Sequence, residues 1–201
     1  MNGIVGLLLA AGSSRRFGKN KLLQPLPGGE RILTSSARRL AAMTDRTIVL
    51  IRPRQPALRA LLRDLDVELI EVDNAEAGMG VTLATGVQAT AQAKGWVVAL
   101  ADMPRVQADT VSRVVSALRE GASIAAPFHC GRRGHPVGFA QRWHDALIDL
   151  NGDRGAGNLL RAHADVVTRI DVDDPGCVFD VDTADDLSEL VSLSRSNSGP
   201  G

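Results

Sequence analysis

The sequence predicts an α/β fold of three layers: a mostly parallel, Rossmann-like sheet with helices on both faces and a small inserted β-hairpin. Three observations carry that expectation. The chain opens on a short apolar run, Gly6-Leu7-Leu8-Leu9, which reads as a buried parallel strand. Strand-like and helix-like patterns then alternate as far as Val72, the arrangement of right-handed crossovers in a parallel sheet. Gly and Pro turn signals crowd the stretch from Phe128 to Phe139, where a hairpin is expected to break the alternation.

Bulk properties narrow the function classes. With 201 residues and 44% hydrophobic content, the chain can build one sizeable core, so a single domain is expected over residues 1–193. The low-complexity end, Ser194 to Gly201, is expected to fray. Formal net charge is zero, which gives no bulk attraction to nucleic acid or to a membrane. Two cysteines, Cys130 and Cys177, make no disulfide framework, and no secretory pattern precedes Ile4, so a cytoplasmic location is expected. No apolar run approaches the ~20 residues of a membrane span.

The elements follow in order. Ile32, Leu33, Ala37, Leu40 and Ala41 recur at helical spacing, and Thr47–Ile51 is a second buried strand. Pro56 suits a helix start, with Leu58, Leu61, Leu62 and Leu65 on its buried face, before a third strand at Val67–Val72. A small-residue helix should follow Met79 and run to about Ala93. Trp96–Leu100 is a fourth strand, Asp109–Arg119 a helix and Ala122–Pro127 a fifth strand. Trp143, Leu147 and Leu150 mark a further helix face, and Asp165–Ile170 a late strand. Phe179-Asp180-Val181-Asp182 places two acids on one face of a short strand, with Thr183 or Asp182 capping the last helix.

Chemistry concentrates where strands end. After Leu9 come small residues (Ala10, Ala11, Gly12, Ser13, Ser14) and then Arg15, Arg16, Lys19 and Lys21. Backbone N–H groups converging beside such cations form an anion-binding concavity, with phosphate the usual occupant. Neither the Walker P-loop nor the dinucleotide fingerprint can be laid over this stretch. Asp102, braced by Pro104 at the tip of the fourth strand, is a suitable hard-cation ligand held by a rigid element. Three βα units separate it from the first loop, which brings both to one edge of the sheet. Gly78 and Gly80 flank Met79 and permit close backbone approach, and Thr82 suits a helix cap. His129, Cys130 and His135 fit no zinc spacing.

The motif Leu9-Ala10-Ala11-Gly12-x-Ser14-x-Arg16-Phe17-Gly18-x-x-Lys21-Leu22-Leu23 resembles the signature of nucleotidyltransferases that activate sugars, isoprenoid precursors and molybdopterin. It is most similar to the molybdenum cofactor nucleotidylyltransferases, with Phe17 where Met is usual. The resemblance implies a nucleotide-diphospho-sugar transferase-like fold. It also implies that Leu9, Ala10, Ala11, Gly12 and Ser14 wrap the triphosphate, with Lys21 and Arg16 as catalytic cations at the phosphates. Asn74-x-x-x-Gly78-Met79-x-x-Thr82 resembles the family's base and ribose segment, where Ser is usual at Thr82. Asp102-Met103-Pro104 resembles the magnesium (Mg2+) motif, making Asp102 a catalytic metal ligand, with a second carboxylate from Asp180 or Asp182. His135 and Pro136 resemble part of the acceptor side. So do Gly152, Asp153 and Arg154, although Gly157 stands where Arg is common.

The implied reaction moves a nucleoside monophosphate onto a molybdopterin-type phosphate with release of pyrophosphate. CTP is expected over GTP, because relatives that use cytosine carry Ala at the Ala11 position and those that use guanine carry Gly. An apo molybdenum hydroxylase that receives the product is the implied downstream partner. Alternatives are an isoprenoid or sugar-phosphate acceptor, a cofactor-delivery protein, and an oxidoreductase on the same scaffold.

Overall fold

The computed structural model describes residues 3–12, 17–153 and 155–188. Its strands are β1 (Ile4–Leu9), β2 (Arg46–Ile51), β3 (Glu68–Glu71), β4 (Gly95–Leu100), β5 (Ile124–His129), β6 (Arg132–Arg133), β7 (Val137–Ala140) and β8 (Val167–Asp171). Its helices are α1 (Ile32–Ala41), α2 (Pro56–Leu62), α3 (Met79–Ala89), α4 (Ala108–Arg119), α5 (His144–Ile148) and α6 (Gly157–Ala162). The sheet runs β3-β2-β1-β4-β7-β5, and β5 also pairs with β6 and, in parallel, with β8.

Strand alternation divides the apolar residues between two layers. Ile4, Leu8, Val49, Ile51 and Val97 pack toward α1, α2 and α4, around Leu33, Leu58 and Val114. Val5, Leu7, Leu9, Ile48, Leu50, Trp96 and Val98 pack toward the other side, around Leu83, Val87, Leu147 and Leu160 of α3, α5 and α6. Successive side chains on a strand point to opposite faces, so a central strand covered on both sides must be apolar throughout. β1 meets that demand at every position.

The expected hairpin exists but does two jobs. β6 turns back on the end of β5, pairing Phe128 with Arg133 and His129 with Arg132. β7 then enters the middle of the sheet, antiparallel to both β4 and β5. Helix α3 stops at Ala89, earlier than expected. The Thr90 hydroxyl returns to Gly86 O (2.7 Å) and accepts the buried indole N–H of Trp96 (2.9 Å), which ends the helix in a side-chain network.

The last strand expected, over Phe179–Asp182, is absent. This stretch is irregular, and it crosses the sheet edge as a tied strap. Asp174, 1% exposed, accepts from Gln107 N (2.8 Å), Thr110 Oγ1 (2.7 Å) and Gly176 N (3.0 Å), capping α4 from a distant segment. Cys177 O accepts the His135 N–H (2.8 Å), and Val181 N donates to Asp102 O (2.9 Å). Thr183 caps the terminal turn, since its hydroxyl accepts Asp186 N while Asp186 accepts the amides of Asp182 and Thr183. Asp174→Ala strips one acceptor group from three donors, two of them backbone. It is expected to cost about 3 kcal/mol in chemical denaturation, with Asp174→Asn recovering part. A loss under about 0.5 kcal/mol removes Asp174 as the anchor of the strap.

Candidate active site

In open α/β sheets, ligands bind beyond the carboxyl ends of the strands, where the strand order reverses. That point lies between β1 and β4, whose ends are in register at Leu9 and Leu100. The backbone after β1 stays pinned, with Ala10 N on Leu50 O (2.9 Å) and Ala101 N on Leu9 O (3.1 Å). A cavity of about 400 Å³ opens there. Leu9, Ala10, Ala11 and Gly12 form one wall, Met79, Thr82 and Asp153 another, and Lys21 and Asp102 its charged end. Nine of the residues singled out from sequence thus converge on one cavity, from segments spread over 145 positions of chain, Leu9 to Asp153.

Several details differ from expectation. Thr82 does not cap α3; Gly78 stands before the helix, and the Thr82 hydroxyl leans back toward Gly78 O at 3.5 Å. The glycines around Met79 make room for protein. Gly78 has φ +119°, and a Cβ there would meet Gly152 C at 2.2 Å; at Gly80 it would meet Asn151 O at 2.7 Å. Gly80 N donates to Gly152 O (2.8 Å), so Gly152 serves to lock two loops together and brings Asp153 to the cavity. Gly78→Ala is expected to displace the 151–153 loop and cost about 2–3 kcal/mol. An unchanged denaturation midpoint would show that the loops separate freely.

Asn74 is exposed in the turn before α3 and does not line the cavity. His135 borders a smaller adjoining space of about 100 Å³ with Leu9, Met79, Leu100 and Arg133. Burial lowers the His135 pKa, against a backbone hydrogen bond at Val98, and the Arg133 charge lowers it further, so the ring is neutral at neutral pH. Its Nδ1 is enclosed and meets no hydrogen-bond partner among the described residues. Pro136 is buried toward the α1 and α4 layer, away from the cavity. Ser14, Arg16, Arg154 and the tail from Ser194 lie outside the described residues.

Sequence reasoning missed Arg52 and Glu76, which also line the cavity. Arg52 Nε donates to Ala11 O at 2.6 Å, fixing the wall of the first loop. Its signal was available: Arg52 directly follows β2, at the same carboxyl edge as Ala10 and Ala101.

The charged end of the cavity is built from three distant segments. Lys21 opens a short turn whose N-cap, Asn20, accepts Leu22 N (3.1 Å). Its ammonium reaches Asp102 Oδ2 (2.7 Å) and Asp182 Oδ1 (2.8 Å), and the residue is only 7% exposed. Burial would lower the Lys21 pKa, but the charges and hydrogen bonds of Asp102 and Asp182 outweigh it and hold the pKa above its ordinary value. One oxygen each of Asp102, Asp180 and Asp182 lies within 4.8 Å of the others. Partial desolvation and then the charges of Asp102 and Asp182 raise the Asp180 carboxyl above the usual range, against its own backbone N–H and Lys21. Three convergent carboxylates on tied backbone are a hard, all-oxygen donor set, which fits magnesium or manganese.

Among the described residues, no helix is long and apolar enough to cross a membrane. Relatives share this chain along nearly its whole length. Purine catabolism protein PucB of Bacillus subtilis is 28% identical, covering 91% of this chain and 93% of its own. Nicotine blue oxidoreductase of Paenarthrobacter nicotinovorans is 26% identical, over 94% and 96%. The crystal structure of Rv0371c from Mycobacterium tuberculosis superposes with TM-score 0.84 at 29% identity, over 95% and 98%. A second structure of that protein is a complex with manganese, at TM-score 0.80 and 27% identity, with the same coverage. Residues 6–166 match the MobA-like NTP transferase domain, and the chain belongs to that family.

Proposed function

We propose that this protein is a nucleotidyltransferase that moves CMP from CTP onto the terminal phosphate of molybdenum-carrying molybdopterin. The observation that carries the reading is the meeting, at one end of a nucleotide-sized cavity, of Lys21 with Asp102, Asp180 and Asp182 beside the Ala10–Gly12 wall. An oxygen of the acceptor phosphate attacks the α-phosphorus of the triphosphate. The bond from that phosphorus to the bridging oxygen breaks, and pyrophosphate leaves with the electron pair. No protein nucleophile is needed, so catalysis is positioning and charge stabilisation.

The protein groups divide that work. Backbone amides at Ala11 and Gly12, and onward to Ser14, hold the triphosphate; Lys21 and Arg16 draw charge from the transition state and the leaving group. Asp102, Asp180 and Asp182 would hold magnesium, whose chemistry is to neutralise charge on the phosphates. The space beside His135 and Arg133 receives the acceptor, next to Asp153 in the wall of the main cavity. Pyrophosphate release that requires both CTP and the molybdopterin substrate tests this. Release with an isoprenoid or sugar phosphate instead assigns a different acceptor on the same site.

A redox reading follows from the relative named nicotine blue oxidoreductase. Consumption of NAD(P)H absorbance during turnover, with no pyrophosphate formed, selects it over transfer.

Base preference is expected to rest on Ala11. The residue lines the cavity, is 4% exposed, and has its carbonyl held by Arg52, so its methyl cannot move aside. A steric filter of one methyl is worth ~1–3 kcal/mol, so CTP should exceed GTP by ten- to two-hundredfold in kcat/KM. Ala11→Gly should narrow that ratio. Equal use of the two triphosphates by the unaltered protein removes Ala11 as the selector.

A further inference from the structure

The position of Lys21 conflicts with its role at the phosphates, and resolving that conflict gives a regulatory property of the site. The ammonium takes Asp102 Oδ2 at 2.7 Å and Asp182 Oδ1 at 2.8 Å. Both carboxylates belong to the acidic triad, so the lysine holds one oxygen on each of two of the three groups that would bind a divalent cation. A hard divalent ion binds carboxylate oxygens at about 2.0–2.6 Å. An ion held by the triad at those distances would lie close to the Lys21 ammonium, and two cations that near repel in a partly dry site. The backbone under Lys21 is fixed, with Gln24 N on Lys21 O (3.0 Å) and the Asn20 cap on Leu22 N, so the flexible four-carbon stem must absorb any movement.

We propose that Lys21 is a stand-in counter-ion for the metal: metal binding evicts its ammonium from Asp102 and Asp182, and only then is it delivered to the triphosphate. The inference rests on the acidic triad being the metal centre. Three consequences follow. Without metal, the lysine relieves the mutual repulsion of the carboxylates, so the fold does not depend on the ion. Metal affinity of the free protein is held down, because the ion must displace an ion pair. Metal and triphosphate bind cooperatively in both directions, since one vacates the carboxylates and the other receives the released ammonium. The site therefore arms its phosphate contact only when the metal is loaded.

The test uses manganese alone, without nucleotide. Free and bound Mn2+ are counted by electron paramagnetic resonance in the unaltered protein, in Lys21→Met and in Lys21→Arg. Lys21→Met is expected to bind Mn2+ about tenfold tighter, within the usual range of coupling between sites, and Lys21→Arg to stay near the unaltered value. A second measurement needs no variant. The chain holds only three lysines, Lys19, Lys21 and Lys94, so amine acetylation can be read residue by residue. Labelling of Lys21 relative to Lys94 should rise several-fold when Mn2+ is added. Equal Mn2+ affinity in Lys21→Met, or Lys21 labelling that stays level or falls, overturns eviction while leaving the metal centre standing. Failure of Mn2+ to bind any of the three proteins overturns the metal centre itself, and the eviction with it.

Discussion

Asp102→Ala is expected to lose at least about a thousandfold in metal-dependent turnover while keeping its fold. The residue stands where β4 ends, and its backbone is held independently of its side chain, by Ala101 N on Leu9 O and by Val181 N on Asp102 O. Those bonds survive the substitution. The side chain supplies one of three carboxylates and an ion pair to Lys21. Metal charge stabilisation is worth several kcal/mol in phosphoryl chemistry, and ~4 kcal/mol corresponds to that loss of rate. Stability should fall modestly. Taken by itself, removing one acid from a like-charged cluster relieves repulsion and would leave the midpoint unchanged or slightly raised. The buried ammonium reverses that sign, because Lys21 loses a partner but keeps Asp182. A cost of about 1 kcal/mol, or a midpoint lower by some 2–4 °C, is expected. Pyrophosphate release and a thermal melt on the same sample check both halves. A variant that stays within tenfold of native turnover but melts far earlier makes Asp102 a structural turn residue.

The sheet was legible because its central strands are buried on both faces. Gly6–Leu9, Thr47–Ile51 and Trp96–Leu100 leave no polar alternation to mistake for an exposed strand. The neighbours of each strand were less legible. Val137–Ala140 carries no local mark of the antiparallel slot between β4 and β5, which depends on pairing partners elsewhere in the chain. The Asp180–Asp182 stretch has the period of a strand, yet no strand forms there. Its backbone is committed to Asp102 O and to the Asp186 carboxylate.

The site was legible as far as strand ends dictate position. Ala10–Gly12 and Asp102 had to meet once β1 and β4 were neighbours. Burial of Lys21 could not be read, because its partners lie 81 and 161 residues away. Local sequence shows only a cation after a glycine. The same holds for Gly78 and Gly80, whose small size serves the Asn151–Asp153 backbone rather than a ligand. Arg52 belongs to no motif, yet it stands directly beyond the end of β2, where open α/β sheets bind their ligands.

Lys21→Ala should reduce kcat/KM about a hundredfold, as expected for losing one charge contact worth ~3 kcal/mol in the transition state. Stability should fall as well. The structure places the Lys21 stem in the wall beside Leu22, with its ammonium between Asp102 and Asp182. Truncation therefore leaves a small void and takes the Lys21 ammonium away from Asp102 and Asp182. Removing one member of a buried pair costs ~3–5 kcal/mol. Asp102 and Asp182 are partly solvated, so about 2 kcal/mol is the expected loss in metal-free buffer. That loss should be recoverable, because a divalent cation supplies the missing charge at the same oxygens. Magnesium at millimolar concentration is expected to raise the midpoint of Lys21→Ala by more than it raises that of the unaltered protein, while turnover stays low. The two readouts then separate the roles: charge balance can be restored by the ion, the phosphate contact cannot. If magnesium restores turnover along with stability, Lys21 serves the carboxylates only and never meets the nucleotide.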